Sequence, residues 1–190
     1  MPGETFSRRD FLKSTAVFGG SFLIQPLTRR FHTRTFSLQA GQKRIYIAPD
    51  DHTDYFWSAG EDAYRDAFIH MIDYYLDLAD ATQSNPPEHQ SRWNCDGSFW
   101  LWIYEKNKSK TEYDRLIDRV KSGHISFPLN ALVVCLGGVP AEAVLRGMYY
   151  PGQIQRAYDV DFPIAIAMEN QTLPYGLSSL WAGSGAKYSW

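Results

Sequence analysis

Residues 45–57 have the sequence IYIAPDDHTDYFW, in which an apolar run is followed at once by acidic residues, a histidine and a tryptophan. The run predicts a buried β-strand over residues 44–48, so that His52, Asp54 and Trp57 follow its carboxyl end. Parallel α/β proteins place their chemistry at such strand ends, where loops vary without disturbing the sheet. An imidazole and a carboxylate two residues apart can bind one divalent ion, and zinc is the first candidate. Because a single His-x-Asp also occurs by chance, this interpretation depends on the rest of the chain.

Strand and helix patterns alternate over the remaining sequence. Apolar runs predict further strands at residues 91–95, 124–129, 163–168 and 186–190. Apolar residues at three- and four-residue spacing predict helices at residues 60–81, 98–105, 111–121, 140–158 and 173–182. This alternation predicts an α/β fold with parallel strands, an incomplete (β/α) barrel of about four β/α units. Since four units cannot close a barrel, we expect the chain to be truncated at its C-terminus relative to a longer protein.

Polar residues follow each predicted strand. They are Asp51, His52 and Asp54 after the first strand, Asp96 after the second, Asn130 after the third, and Glu169, Asn170 and Gln171 after the fourth. In a parallel barrel these strand ends meet at one mouth, which predicts a common site. Asp96 is explained equally well as a loop acid or a helix-capping acid. His124, which begins the third strand, is expected to be a packed histidine rather than a ligand.

The first forty residues predict an export signal. The segment SRRDFLK at residues 7–13 has the twin-arginine pattern, and the apolar segment at residues 14–24 is too short to span a bilayer. We expect residues 1–40 to be a twin-arginine signal peptide and linker recognised by the Tat export machinery. The mature protein is expected in the periplasm or outside the cell, with no stable membrane span. Residues 41–190 are enough for one domain.

Composition narrows the classes of function. The net charge is −2 and residues 41–190 contain no basic cluster, which argues against nucleic acid as a partner. Aromatic residues make up 15% of the chain, a content common in carbohydrate enzymes, although aromatic side chains also fill cores. No Gly-x-Gly-x-x-Gly follows a predicted strand, so a dinucleotide site is not expected. Cys95 and Cys135 lie in or beside apolar strands and predict two buried free thiols rather than a disulfide.

The motif His-x-Asp-x-x-Trp at residues 52–57 resembles the motif after the first strand of glycoside hydrolase family 38, the retaining α-mannosidases. Less specific likenesses follow in the order of that family's N-terminal catalytic domain, at residues 119–125, 142–152 and 173–183. Together they cover most of residues 44–185. The resemblance implies that residues 41–190 are the N-terminal part of such a domain, a (β/α) barrel of the glycoside hydrolase and deacetylase type.

The resemblance also implies roles for individual residues. His52 and Asp54 would bind zinc, and Trp57 would stack on the sugar in the −1 subsite. The metal would hold the 2- and 3-hydroxyls of the sugar and favour its distortion towards the transition state. Family members carry an aspartate nucleophile after the fourth strand that also touches the zinc, and here Glu169 is the nearest carboxylate, the candidate nucleophile and third ligand. The remaining candidates are Asp96 as a catalytic carboxylate, and Asp51 and Asn170 as substrate contacts.

These observations predict an exported, zinc-dependent, retaining glycosidase that hydrolyses α-mannosidic bonds in glycans. The 190-residue chain is expected to be inactive alone, because the acid/base carboxylate and the closed barrel of the family would require further sequence. Two alternatives remain open. One is a metal-dependent polysaccharide deacetylase, in which the metal activates water. The other is a non-catalytic sugar-binding relative, favoured by the segment MENQT at residues 168–172, which replaces the family's Asp-x-Phe-Gly.

Overall fold

The computed structural model of the protein describes residues 47–49, 51–55, 57–167 and 172–189. The predicted signal peptide at residues 1–40 lies outside the described residues, and so do Glu169 and Asn170. Most of the predicted first strand, residues 44–46, lies outside them as well.

Helices are the main regular elements of the described residues. They are α1 (Glu61–Thr82), α2 (Ser98–Asn107), α3 (Lys110–Lys121), α4 (Ala141–Arg146), α5 (Tyr149–Tyr158) and α6 (Leu177–Gly183). The first three agree with the sequence prediction to within two residues at each end. A capping box begins α3, where the Ser109 and Glu112 side chains each accept a hydrogen bond from the other residue's backbone N–H. Gly123 follows α3 with a φ of +74°, a left-handed conformation that favours glycine after a helix.

The helix predicted over residues 140–158 is two helices, so that prediction is wrong in its continuity. Arg146 ends α4 and Tyr149 begins α5, with Gly147 and Met148 between them. Pro151 explains the break, because a proline has no N–H to donate to the carbonyl of Gly147 four residues earlier. A helix that continued through Pro151 would lose that hydrogen bond, and the proline ring would clash with the Gly147 carbonyl. A helix that begins at Tyr149 instead has the proline in its first turn, where it is tolerated.

The part of the chain that the structure describes contains four short strands, which form two parallel pairs. They are β1 (Trp93–Asn94), β2 (Ile125–Ser126), β3 (Ile164–Ala165) and β4 (Tyr188–Ser189). Trp93 is opposite Ile125 in the first pair, and Ile164 is opposite Tyr188 in the second. The parallel direction confirms the prediction, but every strand is shorter than predicted. Pro128 and Pro163 shorten β2 and β3, because each lacks the N–H that would continue a ladder.

Single hydrogen bonds extend the order of the sheet beyond these pairs. The Leu129 N–H donates to Ile164 O at 2.7 Å and so joins the β1–β2 pair to the β3–β4 pair. The Asn94 N–H donates to Pro49 O at 3.1 Å, which places residues 47–49 beside β1. Residues 47 and 48 are not a strand, and Ile47 is 87% exposed, so the predicted buried strand is wrong there. Hydrogen bonding to Asn94 alone does not form a β-ladder, and it leaves the Ile47 side chain uncovered. Within the described ranges the strands do not close into a barrel.

The core lies between the short strands and the helices α1, α2, α3, α5 and α6. On α1, the residues Phe68, Ile72, Leu76 and Ala79 are buried at helical spacing and form the face that packs inward. Full burial of a phenylalanine, isoleucine or leucine side chain contributes about 1.5–3 kcal/mol to the free energy of unfolding relative to exposure. The largest fully buried aromatic side chains are Trp93, Trp100, Tyr104, Tyr113, Phe127 and Phe162. Within the ranges described, none of the helices combines the length and apolar character needed to cross a membrane.

The two cysteines and His124 show how far local sequence patterns predict burial. Cys95 is buried and Cys135 is exposed, and both are free thiols. The prediction of two buried free thiols is therefore confirmed for Cys95 and wrong for Cys135, which lies in the irregular segment between β2 and α4 instead of in a strand. His124 is 9% exposed and contacts the Ser122 hydroxyl and the Gln90 amide oxygen, which confirms that it is a packed histidine.

Candidate functional site

Residues 51–55 and 57 belong to a turn that is tied to the start of α1. The Trp57 N–H donates to Asp54 O at 2.8 Å and closes the turn. The Tyr64 hydroxyl, one turn into α1, donates to the same Asp54 carbonyl, and it lies 2.6 Å from the Ser58 hydroxyl. These bonds fix the backbone that carries the predicted metal ligands, so the turn has a defined shape.

His52 and Asp54 lie side by side in this turn. The His52 Nε2 atom is 3.1 Å from the Asp54 Oδ1 atom, and the two side chains are 43% and 49% exposed. Two ligand atoms that bind one zinc ion at about 2.0–2.2 Å are separated by roughly 3.3–3.6 Å in tetrahedral geometry. The observed separation of 3.1 Å is that of a direct contact between the two side chains, and it lies a few tenths of an ångström below the spacing of two zinc ligands. The structure thus brings the two predicted ligands together, while their metal-binding role stays a prediction.

Trp57 presents its indole to solvent. Its side chain is 87% exposed, although the backbone of the same residue closes the turn. An exposed indole at the edge of a polar turn is a suitable platform for the apolar face of a sugar. The predicted stacking of Trp57 on a substrate is not tested by the structure and remains a prediction.

Asp96 lies beneath the turn and is almost completely buried, at 1% exposure. Its Oδ2 atom accepts a hydrogen bond from the Thr53 backbone N–H at 2.8 Å, and its Oδ1 atom accepts one from Trp100 Nε1 at 3.2 Å. Burial raises the pKa of Asp96, and the hydrogen bonds from Thr53 and Trp100 and the charge of His52 oppose this rise. The carboxylate therefore joins the turn to α2, a role that the sequence alone does not indicate.

Aromatic rings fix the turn from a second side. Tyr55 packs edge-on against Tyr64, Phe99 and Trp100, with ring centroids 5.6–5.8 Å apart. Trp100 in turn stacks on Phe68 of α1 at 3.8 Å with the planes 5° apart. Burial, and then the charge of Glu61, raises the pKa of Tyr55, so its hydroxyl stays neutral. Such aromatic contacts contribute about 0.5–1.5 kcal/mol each beyond the area they bury.

A second group of potential ligand atoms lies below the turn and fits zinc poorly. Asp51, Cys95 and Asp96 have ligand atoms within 4.8 Å of one another. The Cys95 thiol is buried and contacts Gly97 O at 3.6 Å, and burial beside the two carboxylates raises its pKa well above the usual range. Zinc binds the thiolate form of cysteine, so a zinc ion here would have to displace the proton of a buried thiol. The exposed pair His52 and Asp54 has the more suitable donor set.

The other predicted site residues are placed as follows. Asn130 follows β2, and its Oδ1 atom accepts the Ile166 N–H at 2.7 Å while its Nδ2 group donates to Leu132 O at 3.0 Å. It therefore connects β2 to the end of β3. Glu169 and Asn170, the candidate nucleophile and substrate contact, lie outside the described residues. Two open grooves of about 470 and 260 Å³ include none of the predicted site residues in their linings.

Comparison with known proteins finds similarity in structure and none in sequence. No family model matches the chain, and no curated protein matches it. A solved α-mannosidase from Enterococcus faecalis V583 superposes with a TM-score of 0.66 at 15% identity over 78% of this chain. A solved protein in the glycosyl hydrolase family 38 from Enterococcus faecalis gives 0.60 at 14% identity over 76%. The chain spans 16% of the length of each. At this identity the likeness is one of fold, and the described part of the chain has a family 38-like fold.

Proposed function

We propose that this protein is an exported glycoside hydrolase of the α-mannosidase kind, which binds zinc through His52 and Asp54 and hydrolyses α-mannosidic bonds in glycans. The observation that carries the proposal is the 3.1 Å approach of these two side chains in a fixed turn of a family 38-like fold. The structurally similar proteins are described as an α-mannosidase and a family 38 protein, which supports a carbohydrate substrate.

The chemistry follows from the donor set of the turn. A zinc ion bound there would act as a Lewis acid towards neighbouring sugar hydroxyls. His52 and Asp54, whose side chains are 3.1 Å apart, would hold the ion, and the exposed indole of Trp57 would cover the apolar face of the same sugar ring. A retaining glycosidase also needs a nucleophilic carboxylate and an acid/base carboxylate about 5–5.5 Å apart. Glu169 remains our candidate for the nucleophile.

Export is the second part of the proposal. The twin-arginine segment at residues 7–13 supports recognition by the Tat machinery, which transports folded proteins. A protein exported in this way can take up its metal before transport. We therefore expect zinc to be present in the protein recovered from the periplasm or the medium, after cleavage within or near residues 1–40.

A non-catalytic sugar-binding role is the second candidate. Its support is the 87% exposure of Trp57, which suits binding whether or not hydrolysis follows. It would show saturable glycan binding with no product after long incubation. Release of acetate from acetylated glycans without glycosidic cleavage would instead favour a metal-dependent deacetylase.

The test measures zinc content and hydrolysis in the same preparations of a full-length protein that contains this chain and the acid/base carboxylate, since the 190-residue chain alone is expected to be inactive. We expect about one zinc per chain, hydrolysis of an aryl α-mannoside, and loss of both in His52→Ala, with kcat/KM lowered at least about a hundredfold. His70→Ala is the matched control, because His70 is an exposed histidine on α1 and should leave both unchanged. A wild-type protein free of zinc, or an unchanged rate in His52→Ala, would exclude the proposal.

A further inference from the structure

We propose that Asp96 is a positioning residue for the metal site: its buried carboxylate holds the peptide between His52 and Asp54, and so sets the separation of the two ligand atoms. This inference rests on the proposed function and deepens it. It assigns to Asp96 a task in binding the metal without contact to the metal, in place of the catalytic role predicted from its position after β1.

The first step is the bond to the turn. Asp96 Oδ2 accepts the N–H of Thr53 at 2.8 Å, across 43 residues of sequence. Thr53 stands between the two proposed ligands, so fixing its amide fixes the direction of the side chains on both sides. Those side chains are themselves about half exposed, and they approach each other at 3.1 Å. Without the hydrogen bond to Asp96, the peptide between His52 and Thr53 could rotate, and this rotation would separate His52 Nε2 from Asp54 Oδ1.

The second step is the rigidity of the carboxylate. Its Oδ1 atom accepts Trp100 Nε1 at 3.2 Å, and Trp100 is fully buried and stacked on Phe68 of α1. The carboxylate is thus oriented by a ring that cannot rotate without opening the core. Because Asp96 is 1% exposed, water has little access to replace either bond. Outer partners of metal ligands act in this way, by holding the ligands in their binding geometry.

The third step is the match between the carboxylate and its two donors. Aspartate offers two acceptor oxygens at this position, and both face an N–H. An asparagine of the same shape has one acceptor oxygen and one NH₂ group, so one of the two donors would face another donor. Asp96→Asn is therefore a near-isosteric change that removes one bond and adds a repulsive contact.

The experiment measures amide hydrogen exchange of the peptide containing Thr53, and zinc affinity by chelator competition, in the full protein. For Asp96→Asn we expect exchange at Thr53 to accelerate, and zinc affinity to weaken, by about ten- to a hundredfold each. Asp73→Asn is the matched control. Asp73 is a partly buried aspartate that also accepts two bonds, from Tyr104 and Lys108, but lies away from the turn. It should leave both readings at the wild-type level.

A second variant keeps the test decisive if Asp96→Asn does not fold. Trp100→Phe retains a ring that can stack on Phe68 but removes the donor to Oδ1, and should weaken zinc affinity by a smaller factor, about three- to tenfold. Unchanged zinc affinity in the folded variants would overturn the positioning role. So would unchanged exchange at Thr53 in Asp96→Asn. If the wild-type protein binds no zinc, the proposed function fails and the metal part of this inference fails with it, while the exchange at Thr53 still decides whether Asp96 holds the turn.

Discussion

Replacement of Gly97 by alanine tests how the turn, β1 and α2 are joined. Gly97 precedes α2 with φ −155° and ψ 135°, an extended conformation that any residue can adopt. Glycine is therefore needed here because a larger side chain has no room. A Cβ atom built at Gly97 would lie 2.3 Å from the carbonyl oxygen of Ala131, and real Cβ atoms keep at least 3.0 Å. The backbone of Ala131 cannot rotate away as a flexible side chain could, so the two segments must separate.

Separation weakens the bonds that hold the start of α2. The Ser98 and Phe99 N–H groups donate to the carbonyls of Asn130 and Ala131 at 3.1 and 2.9 Å, and the Ser98 hydroxyl donates to Asn130 O at 2.9 Å. Relief of the overlap costs about 1–3 kcal/mol, and each weakened bond adds about 1 kcal/mol. We expect Gly97→Ala to lower the free energy of unfolding by about 4–6 kcal/mol, a large part of the 5–15 kcal/mol typical of a domain.

The measurement is urea unfolding of the purified protein, followed by tryptophan fluorescence. Gly138→Ala is the matched control, because a Cβ atom at Gly138 would have nothing within 4 Å and the backbone there imposes no positive φ. That variant should stay within about 0.5 kcal/mol of the wild type. If Gly97→Ala is destabilised no more than Gly138→Ala, the close approach to Ala131 is not structurally important and the reasoning is refuted.

Three further predictions concern titration and thiol reactivity. Hydrogen bonds from its capping serine lower the pKa of Glu112 to about 2, so its ionised form stabilises the fold above the unfolded value of 4.5. That contribution is lost as the pH falls from 4.5 towards 2. Glu112→Gln keeps the capping hydrogen bond but does not titrate. The difference in the free energy of unfolding between the wild type and this variant should therefore shrink over the same pH interval in urea titrations. Burial, and then nearby arginine charges, lowers the pKa of His124 in the folded protein. As the pH falls below 6.5 the unfolded chain therefore binds a proton at His124 before the folded chain does, and the free energy of unfolding decreases. Thermal melts of His124→Asn should show a weaker dependence of the melting temperature on pH. An aromatic disulfide reagent should titrate Cys135 in the folded protein and Cys95 only in denaturant, and two reactive thiols in the folded state would contradict the burial of Cys95.

The helices were predictable because their signals are local. The apolar spacing of Phe68, Ile72 and Leu76 requires only that one face of a helix be buried, and the structure confirms it. The cap at Gly123 is equally local, since a left-handed residue after a helix favours glycine. The break at Gly147 was missed because apolar periodicity continues across it, whereas the cause is the missing N–H of Pro151.

The arrangement at the candidate site was only partly predictable. His52 and Asp54 are two residues apart, so their contact follows from the chain once a turn is assumed. The task of Asp96 depends on Thr53 and Trp100, one of them 43 residues away, and no local pattern indicates such a bond. The approach of Gly97 to Ala131 is likewise a tertiary contact, visible in sequence only as a glycine before a helix. The exposure of Cys135 depends on the path of an irregular segment, for which apolar content is a poor guide.

The amino end of α2 has a consequence for the charge of any ligand at this site. Free N–H groups at a helix start attract anions such as phosphates and carboxylates. Here the first two amides of α2 are occupied by the carbonyls of Asn130 and Ala131, and the residue before Gly97 is the buried acid Asp96. The helix therefore offers no attraction to a negatively charged group near the turn.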